Sequence, residues 1–402
     1  YSLSNPSFAG GLVGYISSGQ STMTSINANV SISALADKTG GLIGESYGVN
    51  LSHITGTGTI SVDTKNAGGV IGYTRNTNTL EYVNMNITIS GIRSIGGLIG
   101  YNESTAILNI ENTTSSGSVI GQQDNLGGLI GYNLGFAEIL NSTNLANIIG
   151  SGIMGGIIGD SPGNINMRLV SNYGDITSNN SNDNSVGGIL GRNSGNLTLT
   201  AIRNYGLVDQ RLGNQNTGGI IGTHNGDSKS LLLQEVVNLG NVIGENKVGG
   251  LIGSHDLQRS NSTLIVDSFN SGMIQGSGSD IGGLIGYSGL SNGNVTISKS
   301  YSAGLITGSA TDKGAIIGEI NSSYSIDISD TFYLSGSAIS DIGSGPSNGN
   351  AVKLTSTSMQ SLSTFTNAGW DIGEYPTSKT WSIKDGQSFP SLTFMGEPQI
   401  VE

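Results

Sequence analysis

Few residues in this chain have side chains suited to catalysis or metal binding. Cysteine is absent, and histidine occurs three times, at His53, His224 and His255. Without thiols there is no disulfide framework and no Cys-ligated zinc. His224 and His255 stand 31 positions apart, and Asp256 adjoins the second. Two imidazoles at that spacing would suit a metal site or a proton switch if the intervening chain returned to the same place. No further ligand is identifiable, so the plainer expectation is two partly exposed polar residues at a permissive turn. Gly44 to Gly48 and Gly345 to Gly349 match Gly-x-Ser-x-Gly, but a nucleophile elbow needs a strand-to-helix turn and a partner histidine. Gly150, Gly152 and Gly155 match Gly-x-Gly-x-x-Gly, and no helix is expected after them to hold a pyrophosphate. The loop from Asn179 to Asn184, with Asp183, is rich in oxygen ligands but lacks the regular acid spacing of a calcium loop. No cofactor and no metal are expected.

What could place side chains in register is a repeat. A Gly-Gly-Leu-Ile-Gly pentad begins at Gly10, Gly40, Gly68, Gly96, Gly127, Gly155, Gly187, Gly218, Gly249, Gly282 and Gly314. Successive copies are 28 to 33 residues apart. The third and fourth positions are always apolar. The last copy replaces its second glycine by Ala315, the smallest side chain, so space limits that position. Asn-x-Gly-x-(Ile/Val) follows in several copies, starting at Asn172, Asn204, Asn238 and Asn270. Upstream of it apolar residues alternate, as at Leu197, Leu199 and Ala201, which is the period of a strand.

Each unit thus reads as about three short strands separated by Gly, Asn and Ser turns. One unit cannot bury its apolar face, whereas stacked units share a core. The fold expected is all-β: a β-solenoid, like a parallel β-helix, of about eleven coils of ~30 residues. A β-propeller is the alternative, although eleven blades would be unusual. Glycine at this density excludes helical repeats. Matching residues of successive coils should then stack. Asn172, Asn204, Asn238 and Asn270 would form a structural ladder of amides. The residue after each pentad reads Tyr15, Glu45, Tyr73, Tyr101, Tyr132, Asp160, Arg192, Thr223, Ser254, Tyr287 and Glu319. Tyr73, Tyr101 and Tyr132 would form an aromatic column, suited to ligand binding by carbohydrate stacking or protein contact. Cross-strand stacking that merely stabilises the sheet is the plainer account. Asp160 and Arg192 on the next two rungs read as a surface ion pair.

Pentads stop at Gly318. Two regions are expected: a solenoid over residues 1–330 and a C-terminal capping segment over 331–402. One short helix fits Leu354 to Phe365, and the tail with Trp370 and Trp381 should cover the exposed strand edges of the last coil. No matching segment precedes Gly10. The chain, without an initiator Met or a leader, reads as a mature chain or part of a longer one.

Composition excludes more. The 402 residues include 65 glycines and carry a formal charge of −12, which argues against nucleic acid. No apolar run reaches the ~18 residues of a membrane helix, so no membrane insertion is expected of this segment.

The pentads resemble the GLUG motif, a repeat named for glycine-leucine-(variable)-glycine, from Gly10 to Gly318. The tail from Gly369 to Leu392 is similar to the segment that often closes such arrays. That family occurs in large secreted and surface-anchored bacterial proteins, including adhesin-like proteins and some immunoglobulin A-cleaving metallopeptidases. No His-Glu-x-x-His occurs here, so peptidase activity does not carry over. The resemblance implies an extracellular, cell-surface, elongated and non-catalytic module of an adhesin, acting as a rigid stalk or as a binding surface. Its partners would be glycans or proteins of another cell or matrix, with a longer parent chain or a neighbouring copy at the N-terminal end. The alternatives are a structural subunit of an extracellular filament and a polysaccharide-active β-helix enzyme. The enzyme would need a cleft with clustered acids.

Overall fold

The computed structural model describes residues 7–180, 185–212, 216–257, 261–290, 293–321, 326–338, 340–346 and 350–401. The chain is a β-solenoid of about ten turns. Its coils pair in parallel with their neighbours, about thirty residues on, which a propeller would not do. One coil shows the plan: strands Lys65–Gly68 and Ile71–Thr74 flank the pentad, and the strand Thr77–Gly91 bends at Tyr82 to form the opposite wall. Strand and wall follow again in the next coil, where Ile71 pairs with Ile99 and Tyr73 with Tyr101.

The register explains the pentad. Its fourth residue forms an apolar column from Ile43 through Ile71, Ile99, Ile130 and Ile158 to Leu190. From the second copy on, the third and fourth residues are both buried. The first copy differs, because Leu12 is 55% exposed at the start of the stack. The glycines are fixed by backbone proximity. A Cβ on Gly128 would lie 2.1 Å from the carbonyl oxygen of Gly156 and 2.3 Å from the Asn144 amide carbon. Ala315 is tolerated because the following coil does not repeat that approach: its pairing shifts register between Gly314 and Ile317.

Each coil turns a corner on a residue with positive φ, and those corners are not glycines. They are Ser25, His53, Tyr82, Asn112, Asn141, Leu169, Ala201, Glu235, Asp267, Lys299 and Asp330. A left-handed conformation costs an ordinary residue roughly 1–2 kcal/mol. The stack imposes it because the wall must close on the core.

Amides run along the interior. The Asn172 Nδ2 donates to Asn204 Oδ1 at 2.8 Å, Asn204 to Asn238 at 2.9 Å, and Asn238 to Asn270 at 2.8 Å. Each also donates to the carbonyl two residues on, holding the turn. Asn144 extends the ladder one rung, with a 2.8 Å bond to Asn172. It lacks the following Gly, which is why the motif did not single it out.

The C-terminal end differs from expectation in two ways. Coil strands continue past residue 330: Phe332–Leu334, Ser340–Ser344 and Val352–Leu354 all pair with preceding coils. The tail that follows holds two short helices, Ser356–Met359 and Leu362–Asn367, rather than one, and a three-stranded sheet. It also packs along the flank of the last coils, rather than simply over their edge. The outward row Thr143, Ser171, Arg203 turns apolar at Val237, Phe269, Tyr301 and Phe332. Trp370, Trp381 and Phe365 bury that row in a second core. The Trp381 indole donates to Asp267 Oδ1 at 2.8 Å, Trp370 to the Asp330 carbonyl at 2.9 Å, and the Tyr301 hydroxyl to the Pro390 carbonyl at 2.7 Å.

Candidate functional site

At Tyr73, Tyr101 and Tyr132 the residue after the pentad is the third of a strand that begins within the pentad, and there it is half-buried. Register therefore brings Tyr73, Tyr101 and Tyr132 together. Tyr73 and Tyr101 stack at 4.7 Å between ring centroids and 5° between planes. Tyr101 and Tyr132 lie 5.0 Å apart at 33°. Both faces of Tyr101 are thus covered by its neighbours. Tyr73 has Lys38 Nζ 4.5 Å and Arg75 5.0 Å from its centroid. The column shows solvent its ring edges and hydroxyls, not its faces. Burial raises all three phenols, Tyr73 to about 12.

Ion pairs hold both ends of the column. Glu45, buried one rung before Tyr73, accepts from Lys38 Nζ at 2.7 Å and Arg75 Nε at 2.8 Å. Asp160, one rung after Tyr132, is 1% exposed and accepts a two-point bond from Arg192, at 3.0 and 2.7 Å. Burial raises the Asp160 carboxyl, and Arg192 opposes that shift. This pair is buried on its acidic side, not the surface pair expected. Between Tyr101, Tyr132 and this pair opens a cleft of about 290 Å³, lined also by Arg93, Ser94, Asp124, Asn125 and Ile153.

One coil of that cleft supplies Asp124, Asn125 and Tyr132. Residues 124–149 match the GLUG motif. The matched span contains Asp124, Asn125, a complete pentad at Gly127–Gly131, Tyr132 and Asn144. No curated protein matches the chain, and no solved structure does.

The other coils place the remaining candidates differently. His224 and His255 stack, with centroids 5.7 Å apart at 21°. Neither is partly exposed, as a turn position would be: both are 0% exposed. They continue an interior polar column, Thr74–Asn102–Asn133–Ser161–Asn193. Asn193 uses its Nδ2 on the Ser161 carbonyl, so its Oδ1 accepts from His224 Nδ1 at 3.0 Å. That assignment puts a proton on Nδ1 and leaves Nε2 unpartnered among the described residues. Burial lowers His224 to about 4, and burial plus His224 lowers His255 to about 3. Among the described residues no three His, Asp or Glu side chains converge as metal ligands.

Ser46 of the Gly44–Gly48 match is buried on a strand, and its hydroxyl accepts from the Gly48 amide at 3.1 Å, so it is no exposed nucleophile. Gly150, Gly152 and Gly155 lie on and between strands. Residues 347–349 and 181–184, including Asp183, lie outside the described residues.

One pair escaped the sequence. Glu319, on the column after the pentad, has its carboxyl raised to about 7 by a side-chain hydrogen bond with Asp280 and by burial. Asp280 sits at a positive-φ corner two residues before its pentad. The signal was available, because that corner faces the column: Lys38 reaches Glu45 from the same relative position.

Proposed function

We propose that this chain is a non-catalytic repeat module of an extracellular, cell-surface adhesin, serving as a rigid stalk and as a binding surface for glycans or proteins of another cell or matrix. The observation that carries the reading is the parallel pairing of each coil with the next along the stack. A single apolar core runs through the described coils, from Ile16 to Ile342. Such a stack extends by ~4.8 Å per coil and reaches roughly 50 Å over ten turns. The low charge content and the Ser, Asn and Thr of the outer walls keep it hydrated, and its acidity resists nonspecific association. The GLUG match supports a repeat module. The half-buried column of Tyr73, Tyr101 and Tyr132 is the binding face on this reading.

The test is the purified chain on a glycan array, beside a variant with those three tyrosines changed to Ser. Selective binding that disappears in a variant with an unchanged circular dichroism spectrum supports the adhesin reading and its face. Absence of glycan binding by the parent chain, together with absence of binding to immobilised matrix proteins, leaves only the stalk.

A further inference from the structure

We propose that the cleft at Tyr101 and Tyr132 is a recognition site for one neutral sugar ring, held by Arg93, Asp124 and the two tyrosine hydroxyls. This deepens the glycan-binding reading and rests on it. Size comes first. At about 290 Å³ the cleft sits at the lower edge of the ~300–1,000 Å³ typical of small-molecule sites. That suits a single pyranose residue better than a lipid or a peptide loop.

Its chemistry is that of hydroxyl recognition. Sugar hydroxyls donate and accept at once, so they call for planar groups of both kinds. Arg93 presents an exposed guanidinium with no ion-pair partner among the described residues. Its neighbour one rung on, Asp124, presents a carboxylate. Tyr101 and Tyr132 each offer an edge-on phenol on the opposite rim, and buried Ile153 offers apolar floor. The floor is pre-organised. Ser94 and Asn125 are held in left-handed turns, and buried Asp160 fixes the Arg192 guanidinium through two bonds. A group held in advance loses little entropy on binding.

Charge selects among sugars. Two cations, Arg93 and Arg192, face two anions, Asp124 and Asp160, so the cleft has no net formal charge. A uronate or sialate would find Arg93 but also Asp124 beside it. A neutral hexose meets both as partners. Tyr101 offers no face for stacking, because both of its faces are covered by Tyr73 and Tyr132. A single contact of this kind is weak, and copies displayed together on a surface would add avidity.

The experiment uses the full chain on a printed array that pairs neutral oligosaccharides with uronate- and sialate-terminated counterparts. Arg93→Gln, Asp124→Asn and Tyr101→Phe are compared with Tyr287→Phe, which lies on the same column outside the cleft. Tyr101→Phe keeps the ring stack and removes only the hydroxyl, and thermal unfolding verifies that all variants fold. The expected result is preference for neutral glycans, at least a tenfold loss in Arg93→Gln and Asp124→Asn, a smaller loss in Tyr101→Phe, and none in Tyr287→Phe. Preference for acidic glycans overturns the proposal. Neutral binding undiminished in the cleft variants also overturns it, while leaving the adhesin reading in place. No glycan binding by the parent chain removes both the site and the glycan part of that reading.

Discussion

At the scale of single residues, burial decides what the titratable groups do. Burial keeps His224 and His255 uncharged in the folded chain, where each leaves one ring nitrogen unpartnered among the described residues. Their folded values, about 4 and about 3, lie below the ~6.5 of an unfolded histidine. Between those limits the unfolded chain binds more protons, so stability is intact above pH ~6.5 and declines as pH falls toward 4. For His224 alone the integrated loss is on the order of 3 kcal/mol. Thermal midpoints measured from pH 7 to 4 should fall, and His224→Asn, which extends the amide column from Asn193, should flatten the slope. An unchanged slope would show that other groups cause the acid loss. Glu319 works in the opposite sense. The hydrogen bond with Asp280 and burial raise its carboxyl to about 7, so the folded chain holds on Glu319 a proton the unfolded chain releases. Stability therefore drops as pH rises from about 4.5 to 7. Glu319→Gln keeps the shared hydrogen bond without the proton release and should remove that drop in the same pH scan.

At the scale of the coil, the pentad glycines are required where backbones meet, not for a left-handed turn. Gly128 has the Gly156 carbonyl where its Cβ would be. Gly128→Ala should cost about 3 kcal/mol or more, because two backbones must separate and neither side can yield. Ala201, by contrast, holds a corner with φ of 55°. Ala201→Gly removes left-handed strain of roughly 1–2 kcal/mol and adds unfolded-state entropy of similar size. It should lie within about 1 kcal/mol of the parent chain. Chemical denaturation of both variants checks the contrast; equal losses would contradict it. The pentad glycines were legible because they recur. The corners were not, because Tyr82, Leu169 and Glu235 share no residue type, only a place in the coil.

At the scale of the molecule, one core runs the length of the stack and a second fastens the tail to its flank. Trp381 is fully buried, touches Phe269 and Tyr301, and bonds Asp267. Trp381→Ala should cost about 3–5 kcal/mol. The loss should be local, since coils contact chiefly their neighbours. Hydrogen exchange should accelerate over the coils that carry Phe269, Tyr301 and Phe332 and stay unchanged around Ile71 and Ile99. Uniform acceleration would mean that the stack unfolds as one unit, with the tail as its keystone.

The repeat, the parallel stack and the rung-by-rung neighbours Tyr73–Tyr101–Tyr132, Asn172–Asn270 and His224–His255 were present in the sequence by itself, because a constant period makes register a matter of counting. Tertiary structure alone decided which way those neighbours face and how deeply they lie. It covered the faces of Tyr101, buried two histidines expected at a turn, drew Asp280 to Glu319 and turned the tail onto the flank. The physical reason is that period specifies position along the stack, whereas burial and orientation depend on how the two walls close around it. That closure is set by contacts between residues that no repeat relates, such as Trp381 with Asp267 or Tyr301 with Pro390.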